Sequence, residues 1–257
     1  MTPIPLLLVG DGAVARALAA GFSTAGQPVT RWWRGQGGEP PEADVAILAV
    51  SDGAVSEVAR RVRADVLLSC AGGLPIDAVF AGMNGGKGLL HPLRALAGGP
   101  SDGNLAETVF GIAGDAAGLS AARRLVDVLG GVPLVLTAES QPRYHAAAVL
   151  VSNHTLALVA TATALLSDLD PRVAESALAD LLGSAVANIR ALHLPAALTG
   201  PMARGDVATI QTHLAALPPE AAALYRATGR ALLTVAEAKG QADPATLVAI
   251  GRLLDKP

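Results

Sequence analysis

Short apolar runs recur through the first half of the chain, at residues 4–9, 28–33, 45–50, 66–70, 88–90, 108–112 and 132–136. Between them, residues 13–25, 54–62 and 115–129 carry the periodicity of amphipathic helices. Buried-type strands alternating with helices predict an α/β domain with a doubly wound, mostly parallel sheet. The pattern then changes. From residue 140 onward no strand can be drawn, and helical patterns succeed one another at 141–166, 173–192, 205–217, 221–239 and 244–254. Pro171, Pro195, Pro201, Pro218, Pro219 and Pro244 fall mostly at their starts or in connections, where a missing N–H costs least. The expected organisation is a sheet domain over 1–138 and an all-α C-terminal domain over 139–257. Residues 35–41 and 97–104 read as loops.

The first apolar run opens into Gly10-Asp11-Gly12-Ala13-Val14-Ala15, a G-x-G-x-x-A turn between a strand and a helix. In such a turn the first glycine allows a tight exit from the strand, and the second leaves the backbone bare for a pyrophosphate. The small third residue lets the helix press on the strand, and the helix N-terminus faces the anion. This predicts a Rossmann-like domain with a dinucleotide at Gly10, Gly12, Ala13 and Val14; a plain tight turn is the alternative. About twenty residues on, an NAD-specific fold carries a carboxylate for the ribose 2′-hydroxyl. Here that place reads Thr30-Arg31-Trp32-Trp33-Arg34, with no acid before Glu39. Arg31 and Arg34 can instead pair with a 2′-phosphate, so the expected cofactor is NADP(H), although either arginine could be a solvated strand-end charge. The run 45–50 ends in Val50-Ser51-Asp52 at the carboxyl edge of the sheet, where ligands lie in open α/β folds. These three are further candidate cofactor contacts; capping the helix at 54–62 is the alternative for Ser51 and Asp52.

Composition narrows the function. With 51% apolar, 16% charged and 3% aromatic residues, the core must be packed mostly by Ala, Leu and Val. A net charge of −3 without a basic cluster argues against nucleic acid or an anionic membrane as partner, which leaves small-molecule chemistry. Cys70 is the single cysteine, so no intrachain disulfide forms, and a cytoplasmic setting suits it. Residues 146–166 are apolar enough to suggest a membrane span, yet they include Ser152, Asn153, His154 and three threonines. These would be costly in lipid, so a buried helix with a polar working face is expected.

A nicotinamide carries the hydride itself, and the protein must orient the substrate and move a proton. His91 follows the run 88–90, at the expected carboxyl edge of the sheet; a structural histidine is the alternative. Tyr144-His145 and Ser152-Asn153 fall on one long helical pattern, with His145 and Ser152 seven residues apart and so on nearly one face. His91, Tyr144, His145, Ser152 and Asn153 are the candidate catalytic residues. Thr199-Gly200-Pro201 with Arg204-Gly205-Asp206 forms a turn into a helix. It offers Thr199, Arg204 and Asp206 as substrate-binding groups, the guanidinium for a carboxylate; helix capping is the alternative for Asp206. His154, His193 and His213 have no better claim. No histidine pair stands at i, i+4 and no carboxylate at ligand spacing, so no metal site is expected.

Taken together, Gly10 to Ala15, His91-Pro92-Leu93, Tyr144 to Ala148 with Ser152-Asn153, and the Thr199 and Arg204 motifs resemble a bacterial family of uncharacterised Rossmann-like proteins. That family has a helical C-terminal domain of unknown function. It is similar in layout to pyrroline-5-carboxylate reductases, ketopantoate reductases and NADP-dependent coenzyme F420 oxidoreductases. The resemblance implies a C-terminal domain like that of 6-phosphogluconate dehydrogenase, dimerisation through it, and a substrate pocket over the nicotinamide. It implies an NADP-linked reductase for a small carboxylated carbonyl or imine compound. One departure matters: ketopantoate reductases use a lysine on the interdomain helix, whereas this chain has none between residues 88 and 238. The proton donor is then His145, Tyr144, His91 or water. A non-catalytic NADP-binding sensor or assembly protein with a dimerising helical domain is the alternative function.

Overall fold

The structure, a computed structural model, describes residues 5–99 and 101–255. Ile4 of the first predicted strand and Pro100 of the predicted loop at 97–104 lie outside the described residues. The chain forms two compact units, Met1–Ser152 and Asn153–Pro257.

In the first unit the apolar runs become β1 (Leu6–Val9), β2 (Thr30–Trp32), β3 (Ala43–Leu48), β4 (Ala64–Ser69), β5 (Gly86–Pro92), β6 (Val109–Gly114) and β7 (Val132–Val135). They form one sheet in the order β2-β1-β3-β4-β5-β6-β7. Neighbours pair in parallel except β5 and β6, which are antiparallel. The helices of this unit are α1 (Ala13–Thr24), α2 (Val55–Ala59), α3 (Ile76–Val79), α4 (Ala116–Val128) and α5 (Ser140–Val149).

Both faces of the sheet are covered, and alternation along β1 shows how. Leu6 and Leu8 pack with Leu18 and Phe22 of α1 and Leu125 and Val126 of α4. Leu7 and Val9 point the other way, to Val55 and Val58 of α2 and Val79 of α3. Two-sided burial is why these strands read as continuous apolar runs.

From β1 the chain passes to β2 on one side and then to β3 on the other. Ligand crevices open at such a switch point, beyond the carboxyl ends of the strands. Gly10 makes the exit from β1 possible: its φ is +130°, and a Cβ there would lie 2.2 Å from the Ala49 carbonyl oxygen.

The second unit is helical: α6 (Thr155–Ala164), α7 (Pro171–Leu192), α8 (Gly200–Arg204), α9 (Val207–Ala216), α10 (Pro219–Lys239) and α11 (Pro244–Leu254). Side chains of Asp170, Asp206 and Asp243 accept from backbone N–H groups at the starts of α7, α9 and α11, satisfying donors that helix geometry leaves open. Its core gathers Met202, Ile210, Ala236, Leu247, Ile250 and Leu254.

The helix predicted at 141–166 differs from expectation in two respects. A π turn at Leu150–His154 separates α5 from α6. The apolar side chains are also not buried. The stretch Ser140–Ala164 is long and apolar enough to cross a membrane by length and composition, and no residue of its apolar window is fully buried. Val151 is 78% exposed and Leu156 67%, and Val173 and Leu181 of α7 are both 66% exposed. Apolar composition marks a face that seeks cover and leaves open what supplies it.

Candidate active site

At the β1/β3 switch point a cleft of about 530 Å³ is lined by Gly10, Asp11, Gly12, Ala13 and Val14, by Trp33 and Arg34 after β2, and by Val50, Ser51 and Asp52 after β3. A Cβ on Gly12 would meet nothing within 4 Å. Helix α1 begins with no side-chain cap and no acid in its first turn. Bare backbone and open N–H groups at a helix start are what a dinucleotide pyrophosphate needs, so these residues fit the group. The turn Asp52–Ala54 and α2 also start without a side-chain cap bond, which removes the capping alternative for Ser51 and Asp52. A second hollow of about 490 Å³ lies among Glu42, Arg60, Arg63 and Asp65. It sits at the amino ends of β3 and β4, away from every candidate residue.

Arg31 lies within β2 and Arg34 follows it, and the two are held differently. Arg34 lines the cleft. Arg31 donates from Nη2 to Asp11 Oδ1 at 2.8 Å, and its guanidinium lies 5.5 Å from the centre of the Trp33 ring. Arg16 Nη1 donates to the Asp11 carbonyl at 2.6 Å and lies 3.7 Å from Asp11 Oδ2. Looking for an acid only downstream of β2 overlooks Asp11, which the glycine turn itself brings to the end of that strand.

The second cluster is built on β5, β6 and α5. Strand β5 extends to Pro92, so His91 lies inside it rather than after its end, opposite Gly111 of β6. The Nδ1 of His91 is 2.9 Å from the Tyr144 hydroxyl, and the His145 ring lies 5.7 Å from the His91 ring, edge to face. Three glycines leave space for these rings. A Cβ on Gly72 would lie 2.7 Å from the His91 ring, one on Gly73 3.0 Å from that of His145, and one on Gly111 2.7 Å from that of Tyr144. Buried Gln141, at the start of α5, donates from Nε2 to the carbonyls of Gly72 at 3.1 Å and Leu74 at 2.7 Å. It fixes the loop on which both imidazoles rest.

Burial, and then the nearby charge of His145, pull the His91 pKa down to about 4 against a smaller opposing pull from Asp52. His91 is therefore neutral at physiological pH. Burial pushes the Tyr144 phenol up to about 12, opposed by a backbone hydrogen bond from Gly111. A neutral imidazole beside a protonated phenol is a pair that can hold and pass a proton. Cys70 lines the cleft, and Gly72, two residues on, packs against the His91 ring, so cleft and cluster are neighbours within one unit.

Ser152 lies in the π turn, where its Oγ donates to the Ala148 carbonyl at 2.7 Å. The wider turn changes the angular step over the last part of the spacing between His145 and Ser152. Asn153 is exposed and begins the second unit.

In that unit Asp206 accepts from the Thr209 N–H at 3.1 Å and its hydroxyl at 2.7 Å. Those bonds hold its carboxyl below the usual range, so capping is its visible work. Arg204 ends α8 and is exposed; Thr199 precedes α8 without a side-chain cap bond. Among the described residues no group of three or more His, Cys, Asp or Glu could hold a metal ion.

Sequence reasoning missed Asp11, Gln141 and the glycines at 72, 73 and 111. The doublet Gly72-Gly73 soon after a strand was the one local signal available.

Comparison with known proteins places this geometry in a setting. Residues 108–232 match the family model described as a domain of unknown function, DUF2520. No curated protein matches the chain. Similar solved structures include a proposed NADP oxidoreductase from Bacteroides fragilis, at 20% identity and a TM-score of 0.72, covering 90% of this chain and 98% of that one. A protein from Thermotoga maritima is 22% identical with a TM-score of 0.70, covering 91% and 99%. Plasmodium falciparum pyrroline carboxylate reductase, solved with NADP bound, is 13% identical with a TM-score of 0.57, covering 99% and 100%. At these identities the likeness is one of fold. The chain is a Rossmann-like α/β protein with a helical C-terminal region, and its residues 108–232 match DUF2520.

Proposed function

We propose that this chain is an NADP(H)-dependent oxidoreductase that transfers a hydride between NADPH and a small carboxylated carbonyl or imine compound. The observation that carries this reading is one compact unit holding both a dinucleotide-type cleft and, beside it, the His91–Tyr144–His145 cluster. Bound NADPH would supply the hydride. Gly10, Gly12, Ala13 and Val14 would hold its pyrophosphate, Arg31 and Arg34 its 2′-phosphate, and Val50, Ser51 and Asp52 would line its path. The chain's own work is to seat the substrate and move a proton, and His91, Tyr144, His145, Ser152 and Asn153 are the groups proposed for it. Arg204, exposed and cationic, is proposed to take the substrate's carboxylate, with Thr199 and Asp206 shaping that helix start.

The reading extends to assembly and place. The exposed apolar side chains of α6 and α7 support a homodimer formed through the helical unit, since large apolar side chains exposed together on neighbouring helices mark an interaction surface. A cytoplasmic setting agrees with Cys70, a single half-buried thiol whose pKa burial pushes up to about 12.

The test is a calorimetric titration with NADPH followed by a turnover panel of 2-oxo acids and cyclic imines. The expected results are NADPH binding, turnover of a panel member, and loss of turnover but not of binding in Tyr144→Phe. Binding without any turnover would favour a nucleotide-binding sensor, and absence of binding would overturn both readings.

A further inference from the structure

The turn that faces the dinucleotide contains a carboxylate in an unusual position. In dinucleotide-binding folds the adenosine ribose lies by the glycine turn and the end of the second strand. An acid there takes a free 2′-hydroxyl, and an arginine takes a 2′-phosphate. This chain presents both groups at that place, in contact: Asp11 Oδ1 and Arg31 Nη2 are 2.8 Å apart. The pair is partly solvent-facing, with side-chain exposures of 33% for Arg31 and 48% for Asp11, so it is accessible to a ligand. Asp11 and Trp33 both line the cleft, and the Trp33 ring supports the Arg31 guanidinium from one side.

We propose that Asp11 sets the choice between the two dinucleotides, opposing a 2′-phosphate and favouring a free ribose 2′-hydroxyl, so that the protein accepts NADH alongside NADPH. The inference rests on the cofactor reading above. An anion that accepts from the same Arg31 Nη2 comes within two hydrogen-bond lengths of the Asp11 carboxylate. Repulsion between that carboxylate and a phosphate dianion is enough, even at the dielectric of water, to change affinity by about tenfold. With NADH the same carboxylate is a hydrogen-bond acceptor at the ribose, and Arg31 stays paired with it. Arg16, which grips the Asp11 backbone carbonyl, keeps the turn in place in either case. The pair therefore works as a specificity determinant through charge.

Calorimetric titration of the whole chain with NADPH and with NADH tests this in wild type, Asp11→Asn, Asp11→Ser and Arg31→Ala, each confirmed as folded by circular dichroism. Both Asp11 variants should tighten NADPH by about tenfold and leave NADH unchanged or weaker, because each removes the charge. Arg31→Ala should weaken NADPH more than NADH. Wild type binding neither nucleotide would defeat the cofactor reading itself. Wild type binding, with the NADPH-to-NADH ratio unmoved or shifted toward NADH in the Asp11 variants, would overturn this inference alone. The readout is affinity, so no substrate or turnover is required.

Discussion

The hydroxyl of Tyr144 and Nδ1 of His91 stand 2.9 Å apart because the β5–β6 register sets His91 opposite a residue with no side chain, Gly111. The phenol occupies the space a side chain there would fill. A methyl group at this position must push Tyr144 away from His91. Gly111→Ala is expected to cost about 1–3 kcal/mol of stability by overpacking and to lower kcat sharply while NADPH affinity stays unchanged. Urea unfolding and calorimetry, run beside turnover, check the three effects separately.

The pH dependence of stability follows from His91. Its pKa of about 4 in the folded chain lies below the 6.5 of an unperturbed imidazole. Between those values the unfolded chain binds more protons than the folded one, so this contribution to stability grows as pH rises from 4 to 6.5 and is lost as pH falls through the same window. Its size is at most about 3 kcal/mol, and partial exposure of the ring reduces it. In His91→Gln the urea midpoint should fall less steeply toward low pH than in wild type. Parallel profiles would place the imidazole in a more solvated setting.

A good deal of the fold was legible, and the reason is visible in the strands. Leu6 to Val9 and Val45 to Leu48 are buried from both sides, so they read as uninterrupted apolar runs. Where burial is one-sided or the element is short the signal fades. Helix α3 has only four residues, too few for a period, and His91-Pro92 looks like a strand's end although pairing with β6 continues through both. The site was legible as residue types and poorly legible as contacts. Asp11 and Arg31 meet across twenty positions of sequence, and Tyr144 meets Gly111 only through a strand register. The exposed faces of α6 and α7 share the composition of a buried helix, and sequence alone does not tell the two apart.

Asp206 and Arg204 should separate by experiment. Asp206→Ala removes the bonds from Thr209 at the start of α9 and is expected to cost about 1 kcal/mol of stability. Arg204→Ala, at an exposed position, should leave the unfolding midpoint unchanged and raise KM for a carboxylated substrate. A KM unaffected by Arg204→Ala would remove that residue from the substrate site.

The apolar face of α7 predicts an association state. Leu181→Asp places a charge where the side chain is 66% exposed in the single chain, so the monomer should fold as before. Sedimentation should show a wild-type dimer and a monomeric variant. A monomeric wild type would show that this face has some other occupant.

Whether the chain moves a hydride from NADPH is read out by isotope transfer. The protein is incubated with NADPH deuterated at the reactive nicotinamide carbon and with a pool of 2-oxo acids and cyclic imines, and the products are read by mass spectrometry. Hydride transfer with Tyr144 moving the proton gives a reduced product carrying the deuterium, formed by wild type and absent with Tyr144→Phe, which still binds NADPH. Deuterated product from Tyr144→Phe at the wild-type rate, or none from wild type with NADPH bound, would contradict it.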